Sequence, residues 1–299
     1  MHVFVTGATG LIGSAVCRAL VAAGHRVTAL SRYGTPQGLP APVRMVHGDP
    51  AVVGPWQSEL AACDACVHLA GEPVAAGRWT EERKRRIRES RVESTRRVAE
   101  TVASGGPAVL VSGSAIGYYG PHGDEPLDEA APPGGDFLAL VCKEWEAAAV
   151  AAASRARVVM LRTGVVLAQH GGALAKMLLP FRFFAGGPIG KGEFWQSWIH
   201  LADEVAMILW ALETSAVAGP LNATAPNPVR NRDLARAIGR VLHRPGALPV
   251  PRLVLKLAFG ELATVIATGQ RVIPRKATEL GFRFRYPELE PALRDLLAD

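Results

Sequence analysis

Short apolar runs recur along the first half of this chain, at residues 2–5, 26–30, 44–48, 65–69, 108–112 and 157–162. Apolar residues follow one another in most of these runs instead of alternating with polar ones, the pattern of strands covered on both faces of a parallel sheet. Helix-like stretches separate most of them; residues 14–23, for instance, place Val16, Ala19 and Leu20 on one side. This alternation predicts a doubly wound α/β fold. The Gly- and Pro-rich residues 34–42 predict a loop, and the short interval before Arg44 predicts a crossover with little helix. Beyond about residue 165 the texture changes. Gly171-Gly172, Gly186-Gly187-Pro188, Gly190 and Gly192 interrupt the chain, residues 222–228 are rich in turn formers, and helical patterns resume at 231–242 and 253–267. The chain therefore divides into a first domain, residues 1–165, and a smaller discontinuous part, residues 166–299, which folds over the first and returns segments to it. The crevice between them falls at the carboxyl ends of the strands, where open α/β sheets bind ligands.

The first apolar run leads into Thr6-Gly7-Ala8-Thr9-Gly10-Leu11-Ile12-Gly13. In a strand that turns sharply into a helix, the first glycine permits the turn, the second lets a pyrophosphate approach the backbone, and the third lets helix pack on strand. The helix start then offers free N–H groups and the positive end of its dipole to the anion. The pattern predicts a dinucleotide site. At the end of the second run stand Ser31 and Arg32, with no carboxylate. An acid there accepts from the ribose 2′-OH of NAD, whereas an arginine accommodates the 2′-phosphate of NADP, so the cofactor expected is NADP(H). A solvated loop arginine is the alternative.

Composition narrows the class. With 299 residues, 49% of them hydrophobic, the chain can bury a substantial core. Charges interrupt every apolar stretch well before the roughly 18 residues a membrane span needs, so no transmembrane helix and no membrane partner are expected. The chain enters a strand at Val3, which leaves no room for a leader and predicts a cytoplasmic protein. Cys63 and Cys66 have metal-site spacing, yet no second pair follows them, and they read better as buried small hydrophobes; no metal is expected. The net charge is +6, and Arg83-Lys84-Arg85-Arg86 with Arg88 and Arg91 form its densest cluster. Glutamates 81, 82, 89 and 93 are interleaved, which reads as a charged helix face and not as a nucleic-acid arm.

Further motifs sit at the strand ends: His68-Leu69-Ala70-Gly71, then Val111-Ser112-Gly113-Ser114-Ala115 with Tyr118-Tyr119-Gly120, then Leu161-Arg162-Thr163-Gly164-Val165. Together with the glycine loop these resemble the extended short-chain dehydrogenase/reductase superfamily, with a Rossmann-type first domain. Trp79 with Ser90-Arg91, the segment from Asp136-Phe137-Leu138 to Trp145-Glu146, Trp198-Ile199-His200 with Asp203, Asn222 with Ala225-Pro226, and Leu280-Gly281-Phe282 with Tyr286-Pro287 resemble one branch of it, an NADP-binding epimerase family also labelled as similar to a cell-division inhibitor. The resemblance spans nearly the whole chain. It implies cofactor contacts from Gly7, Thr9, Gly10, Leu11, Ile12 and Gly13, from Ser31 and Arg32, and from Leu69, Ala70, Gly71 and Ser112. Arg91 and, less directly, Arg86 look like further cofactor-facing arginines, and Val165 lies where the superfamily brackets the nicotinamide. For Arg91 an ion pair with Glu89 or Glu93 on the helix surface is the alternative.

One part of the superfamily pattern is missing. Its catalytic tyrosine and the lysine one helix turn later share a turn, the lysine lowering the phenol's pKa. If Lys143 is that lysine, Ala139 takes the tyrosine's place; if Glu146 sets the register, the pair becomes Leu138 and Cys142. Ser114 matches the serine that meets the reacting oxygen, and Tyr118 is the candidate substitute acid, with Tyr119 beside it. Either tyrosine can equally pack as a partly buried aromatic. His200 and Asp203 read as a helix brace before a proton relay. Two functions follow: an NADP(H)-dependent oxidoreductase or epimerase acting on a polar, nucleotide-linked small molecule, or an NADPH-binding protein without hydride chemistry. Oligomeric state and substrate are not encoded in these motifs.

Overall fold

A computed structural model describes residues 1–33 and 38–298. In chain order its strands are β1 (His2–Thr6), β2 (Arg26–Ser31), β3 (Arg44–His47), β4 (Ala65–His68), β5 (Val109–Ala115), β6 (Pro126–Leu127), β7 (Arg157–Thr163), β8 (Val165–Leu167), β9 (Trp195–Gln196), β10 (Trp198–His200), β11 (Gly219–Ala223), β12 (Val229–Arg230) and β13 (Arg271–Val272). The helices that matter for the site are α1 (Leu11–Ala22), α2 (Trp56–Ala61), α3 (Glu81–Ala103), α4 (Phe137–Val150), α5 (Gly172–Arg182), α6 (Leu201–Glu213) and α7 (Asn231–Val241). Seven strands form one parallel sheet in the order β11-β7-β5-β4-β1-β2-β3. The predicted doubly wound α/β architecture is the one observed.

Continuous apolar character has the predicted cause. Within β1, Val3 and Val5 join a core with Val16, Cys17 and Leu20 of α1 and with Met207 and Ile208 of α6. Phe4 points the other way, into a core with Trp56 and Leu60 of α2 and Val98 and Ala99 of α3. Both faces of the strand are therefore dry, and neither face admits a charge.

The order also locates the crevice. From β1 the chain winds outward through β2 and β3 on one side and through β4, β5, β7 and β11 on the other, so the direction reverses between β1 and β4. Register aligns the carboxyl ends there: Thr6 pairs with His68, His68 with Ser112, and Ser114 with Arg162. Residues 34–37 of the predicted loop lie outside the described residues, and among the described ones no helix bridges β2 and β3. The second half departs from its expected texture at β11. No apolar run marks that strand, and its last two residues fall in the turn-rich stretch, yet it pairs with β7 over five residues and completes the sheet. A third core, built from Leu174 and Leu178 of α5, Leu234 and Ile238 of α7 and Leu293 near the carboxyl end, packs the remainder of the second half together. The helical pattern predicted at 253–267 is broken at Gly260, whose φ of +60° stops the first of two short helices.

Candidate functional site

The turn from β1 into α1 shows which glycines are structural. Gly7 has a φ of +67°, and a Cβ there would sit 2.7 Å from the Leu69 carbonyl carbon and 2.9 Å from the Ala70 nitrogen. At Gly13 a Cβ would lie 2.2 Å from the Gly7 oxygen. These two positions are closed by the protein's own backbone. Gly10 differs: its added Cβ meets only the Gly7 oxygen, at 3.2 Å, and its other side faces the cleft. Gly10 is also the N-cap of α1, with no side-chain cap and no acid in the first turn. The first N–H groups of α1, from Leu11 to Gly13, are left to whatever the cleft holds.

The cleft is a cavity of about 710 Å³ lined by Gly7, Thr9, Gly10, Ser31, Arg32, Leu69, Ala70, Gly71 and, at the rim, Arg86. Sequence reasoning did not name Tyr33, Asp49 or Glu72, and gave Ser90 no cofactor contact, yet all four line it too. No residue periodicity marks them, because they belong to loops and to one helix turn that only the tertiary fold brings to the strand ends. The Ser31 hydroxyl closes a turn, donating to the Tyr33 carbonyl at 2.7 Å and accepting from the Tyr33 N–H at 3.2 Å. Arg32 is exposed, its guanidinium 5.6 Å from the Tyr33 ring centre, with no acid and no carbonyl against it among the described residues. Arg86 makes an i,i+4 contact of 3.7 Å with Glu82.

Two other expected contacts lie outside the cavity lining. Arg91 faces neither the cavity nor Glu89 and Glu93. Its guanidinium lies beneath the loop after β4, donating to the Glu72 carbonyl at 3.0 Å and the Ile87 carbonyl at 3.1 Å, and it sits 5.2 Å from the Trp145 ring centre. Burial there pulls its pKa down. Gly71 is tied to this arrangement, since a Cβ would press 3.2 Å from the Arg91 guanidinium carbon. Ser112 is fully buried within the sheet, its hydroxyl 3.4 Å from the Gly113 oxygen, and it is not among the cavity's lining residues. Val165 opens β8, half-buried, donating its N–H to Ser197.

A polar tie fixes the floor. His68 Nδ1 is 2.7 Å from Thr6 Oγ1, which also accepts the Ala70 N–H, and Nε2 is within 3.1 Å of Ser94 and 3.0 Å of Thr95. Enclosed on all sides, the imidazole has its pKa pushed down to about 4, so it is neutral at physiological pH and acts as a hydrogen-bond strut. A histidine inside an apolar run was the sequence signal.

At the end of β5, Glu146 of α4 joins two other strand-end residues. Glu146 meets Ser114 and Arg162: the Ser114 hydroxyl donates to Glu146 Oε1 at 2.7 Å, and Arg162 grips both carboxylate oxygens at 2.8 Å. Leu138 and Cys142, the pair that a register set by Glu146 would put at the tyrosine and lysine positions, face the turn after β5. Those two side chains pack against Gly117, 3.5 and 3.9 Å from where its Cβ would be, while Lys143 points to solvent. Neither residue is a proton donor of the required kind; burial pushes the Cys142 thiol up to about 12. Arg162 also donates to the Tyr119 hydroxyl at 2.9 Å, and that hydroxyl donates to Asn222 Oδ1 at 2.6 Å. Tyr119 is thereby locked, its pKa raised by burial to about 12. Tyr118 is different: its ring lies 3.6 Å from the Arg162 guanidinium carbon, and its hydroxyl has no hydrogen-bond partner among the described residues.

His200 and Asp203 brace the fold. His200 Nδ1 caps α6 by accepting from the Ala202 N–H at 3.0 Å, and Asp203 accepts the N–H groups of Arg285 and Tyr286. All four cysteines are buried and free, and the described residues contain no group of three or more potential metal ligands.

Comparison with known proteins matches this geometry. The NAD dependent epimerase/dehydratase family covers residues 3–223, and a domain of unknown function, DUF1731, covers residues 250–296. The chloroplastic homolog of epimerase family protein SDR39U1 from Arabidopsis thaliana is 43% identical over 302 residues, covering 99% of this chain and 87% of that protein. The crystal structure of human epimerase family protein SDR39U1 (isoform 2), solved with NADPH, superposes with a TM-score of 0.88 at 37% identity and covers 99% of both chains. UDP-glucose 4-epimerase from Thermotoga maritima, solved with UDP-glucose, shares the fold at a TM-score of 0.82 and 18% identity, covering 98% of this chain and 96% of that one. From its glycine loop to its seventh sheet strand, the chain belongs to the NAD dependent epimerase/dehydratase family, in the branch of the SDR39U1-like proteins.

Proposed function

We propose that the protein binds NADP(H) in the glycine-lined cleft and acts as an NADP(H)-dependent oxidoreductase or epimerase on a polar, nucleotide-linked small molecule. The observation that carries this reading is the cleft's donor set. An uncapped helix start, the open side of Gly10 and Arg32, which has no acidic partner among the described residues, together suit a pyrophosphate at one end and a 2′-phosphate at the other. The NADPH-bound human relative supports the cofactor, and the nucleotide-sugar enzyme of the same fold supports the substrate class. When bound, the nicotinamide supplies or accepts the hydride. This chain's own residues do the rest: Thr6 and His68 hold the floor, Arg91 holds the Glu72 loop, Val165 borders the crevice, and Ser114 and Tyr118 stand nearest the expected reacting oxygen.

A specific observation favours a second reading, an NADPH-binding protein without hydride chemistry. A carboxylate gripped by arginine is acceptor-only, so the Ser114 hydrogen is committed to Glu146 and the serine presents lone pairs to the crevice. It can receive a hydrogen bond there. It cannot give one to a developing alkoxide while that contact lasts.

Two measurements divide these readings. Arg32→Ala should weaken NADPH binding by roughly 10–100-fold, the worth of one or two charge-assisted hydrogen bonds, while NADH binding changes by less than about threefold; equal losses for both cofactors would remove Arg32 from the 2′-phosphate site. Protein saturated with NADPH should then be screened against nucleotide sugars and carbonyl compounds for cofactor oxidation. Robust turnover sinks the second reading, and stoichiometric NADPH binding without turnover sinks the first. Given turnover, Tyr118→Phe should lower kcat by about 10²–10⁴-fold, the usual share of one general acid; an unchanged kcat excludes Tyr118 from that role.

A further inference from the structure

A second face of the molecule, away from the cofactor cleft, carries features the proposed reaction does not use. Leu179, Phe183, Phe184 and Leu248 are 52%, 78%, 53% and 54% exposed. Leu179 and Phe183 are one helix turn apart at the end of α5, and the Leu248 N–H donates to Gly186, two residues beyond Phe184. Leu248 is thereby held beside the segment that carries the two phenylalanines. Soluble surfaces rarely gather large apolar side chains this way without a use for them.

The backbone under the patch is strained. Among the described residues only Phe184 and His243 adopt positive φ outside glycine, at 59° and 53°. For a bulky residue this is an outlier that persists only where the surroundings enforce it. Both lie on this face, Phe184 holding its ring 4.0 Å from the Arg244 guanidinium carbon. Beside them opens a shallow cleft of about 460 Å³, lined by Arg236, Arg240, His243 and Arg244 with Gly246 and Ala247. Arg236 and Arg240 have acidic neighbours, Asp233 and Glu290. Arg182, Arg232 and Arg244 have none among the described residues.

We propose that this face docks on the surface of an anionic lipid bilayer. Apolar side chains standing out from a rim of arginines form the pattern of an interfacial contact, in which the apolar tips enter the acyl boundary and the cations meet headgroup phosphates. Charge decides against a second copy of the chain, because a two-fold contact would set this arginine rim against itself. Side-chain chemistry favours a bilayer over a nucleic acid, because half of the exposed apolar tips, Leu179 and Leu248, are aliphatic and suit acyl chains rather than base stacking. The contact is peripheral, since no helix among the described residues is long and apolar enough to cross a membrane.

Flotation of the full-length protein with vesicles tests the proposal. Vesicles of phosphatidylcholine containing about 30% phosphatidylglycerol should bind the protein at least tenfold more tightly than pure phosphatidylcholine, with the difference shrinking severalfold in about 0.5 M salt. The exposed double variant Leu179→Ser/Phe183→Ser should lose about tenfold or more of that binding, and Arg232→Glu/Arg244→Glu should lose the preference for the anionic lipid. Each variant should still titrate with NADPH like the parent, which shows that it is folded and separates a failure here from a failure of the cofactor reading. Equal binding to both vesicle types, no binding at low salt, or binding that both variants retain overturns the proposal. So does a dimer in light scattering that Phe183→Ser dissolves, or a single-stranded oligonucleotide retained where vesicles are not.

Discussion

Arg162→Met is expected to destabilise the protein by about 3–5 kcal/mol and to lower its melting temperature by on the order of 10 °C. The substitution keeps the volume of the side-chain stem and removes the charge. It strands the Glu146 carboxylate, which is 9% exposed and takes both of its strongest donors from Arg162. Tyr119 loses a donor as well, and the Glu129 carbonyl loses its contact at 3.2 Å. Breaking a buried pair costs more than the pair contributes, because the remaining ion has no partner. The companion experiment follows from that asymmetry: Arg162→Met/Glu146→Leu should recover most of the loss, since both charges are then gone and the site is apolar. Chemical denaturation of the parent, both single variants and the double variant completes the cycle. A cost below about 1 kcal/mol for Arg162→Met would show that water reaches Glu146 and that the network is not dry.

The pair also marks where the sequence stops being legible. Apolar runs located six of the seven sheet strands, the inner ones because burial on both faces selects apolar side chains and the edge strand β3 through Met45 and Val46 alone. Gly7 and Gly13 were legible for a related reason: the backbone around each leaves no room for a Cβ, and the spacing of the three glycines is set by the turn. β11 was hidden because Gly219-Pro220 opens it with two strand breakers, which the edge of a sheet tolerates and a central strand does not. The Ser114–Glu146–Arg162–Tyr119–Asn222 network was hidden for another reason. Its members come from β5, α4, β7, the turn after β5 and β11, and nothing local records which distant polar residue satisfies a buried charge. The surroundings of Arg91 were hidden on the same ground. A charged residue on a helix reads as solvent-facing or ligand-facing, and its burial under the Glu72 carbonyl is a tertiary fact. What the sequence did carry was the anomaly itself: a glutamate, an arginine and a histidine standing at positions the surrounding pattern reserves for apolar residues.

Glu204 is a second such anomaly and gives the protein a pH signature. It lies in the first turn of α6, fully buried, where Oε1 accepts from the Thr163 hydroxyl at 2.8 Å and Oε2 has no partner among the described residues. Desolvation pushes its pKa up to about 8, only partly offset by the Thr163 hydrogen bond. The folded state therefore holds a proton that the unfolded chain, titrating near 4.5, releases. The stability contributed by that proton is complete below pH 4.5 and is lost progressively as the pH rises towards 8. His68 works in the opposite sense, because its folded pKa near 4 lies below the unfolded 6.5, so its contribution rises with pH between those values. The two slopes largely offset one another up to pH 6.5. Above it Glu204 acts without that offset, and stability should fall by about 1.4 kcal/mol per pH unit, roughly 2 kcal/mol between pH 6.5 and 8. Glu204→Gln keeps the shape and the acceptor for Thr163 but carries no titrating proton. Denaturant midpoints measured from pH 6.5 to 8 should slope downward for the parent and stay flat for the variant, which becomes the more stable of the two at pH 8. If both proteins keep the same slope, the carboxyl of Glu204 is hydrated or already ionised in the fold, and the decline in stability has its origin in another group.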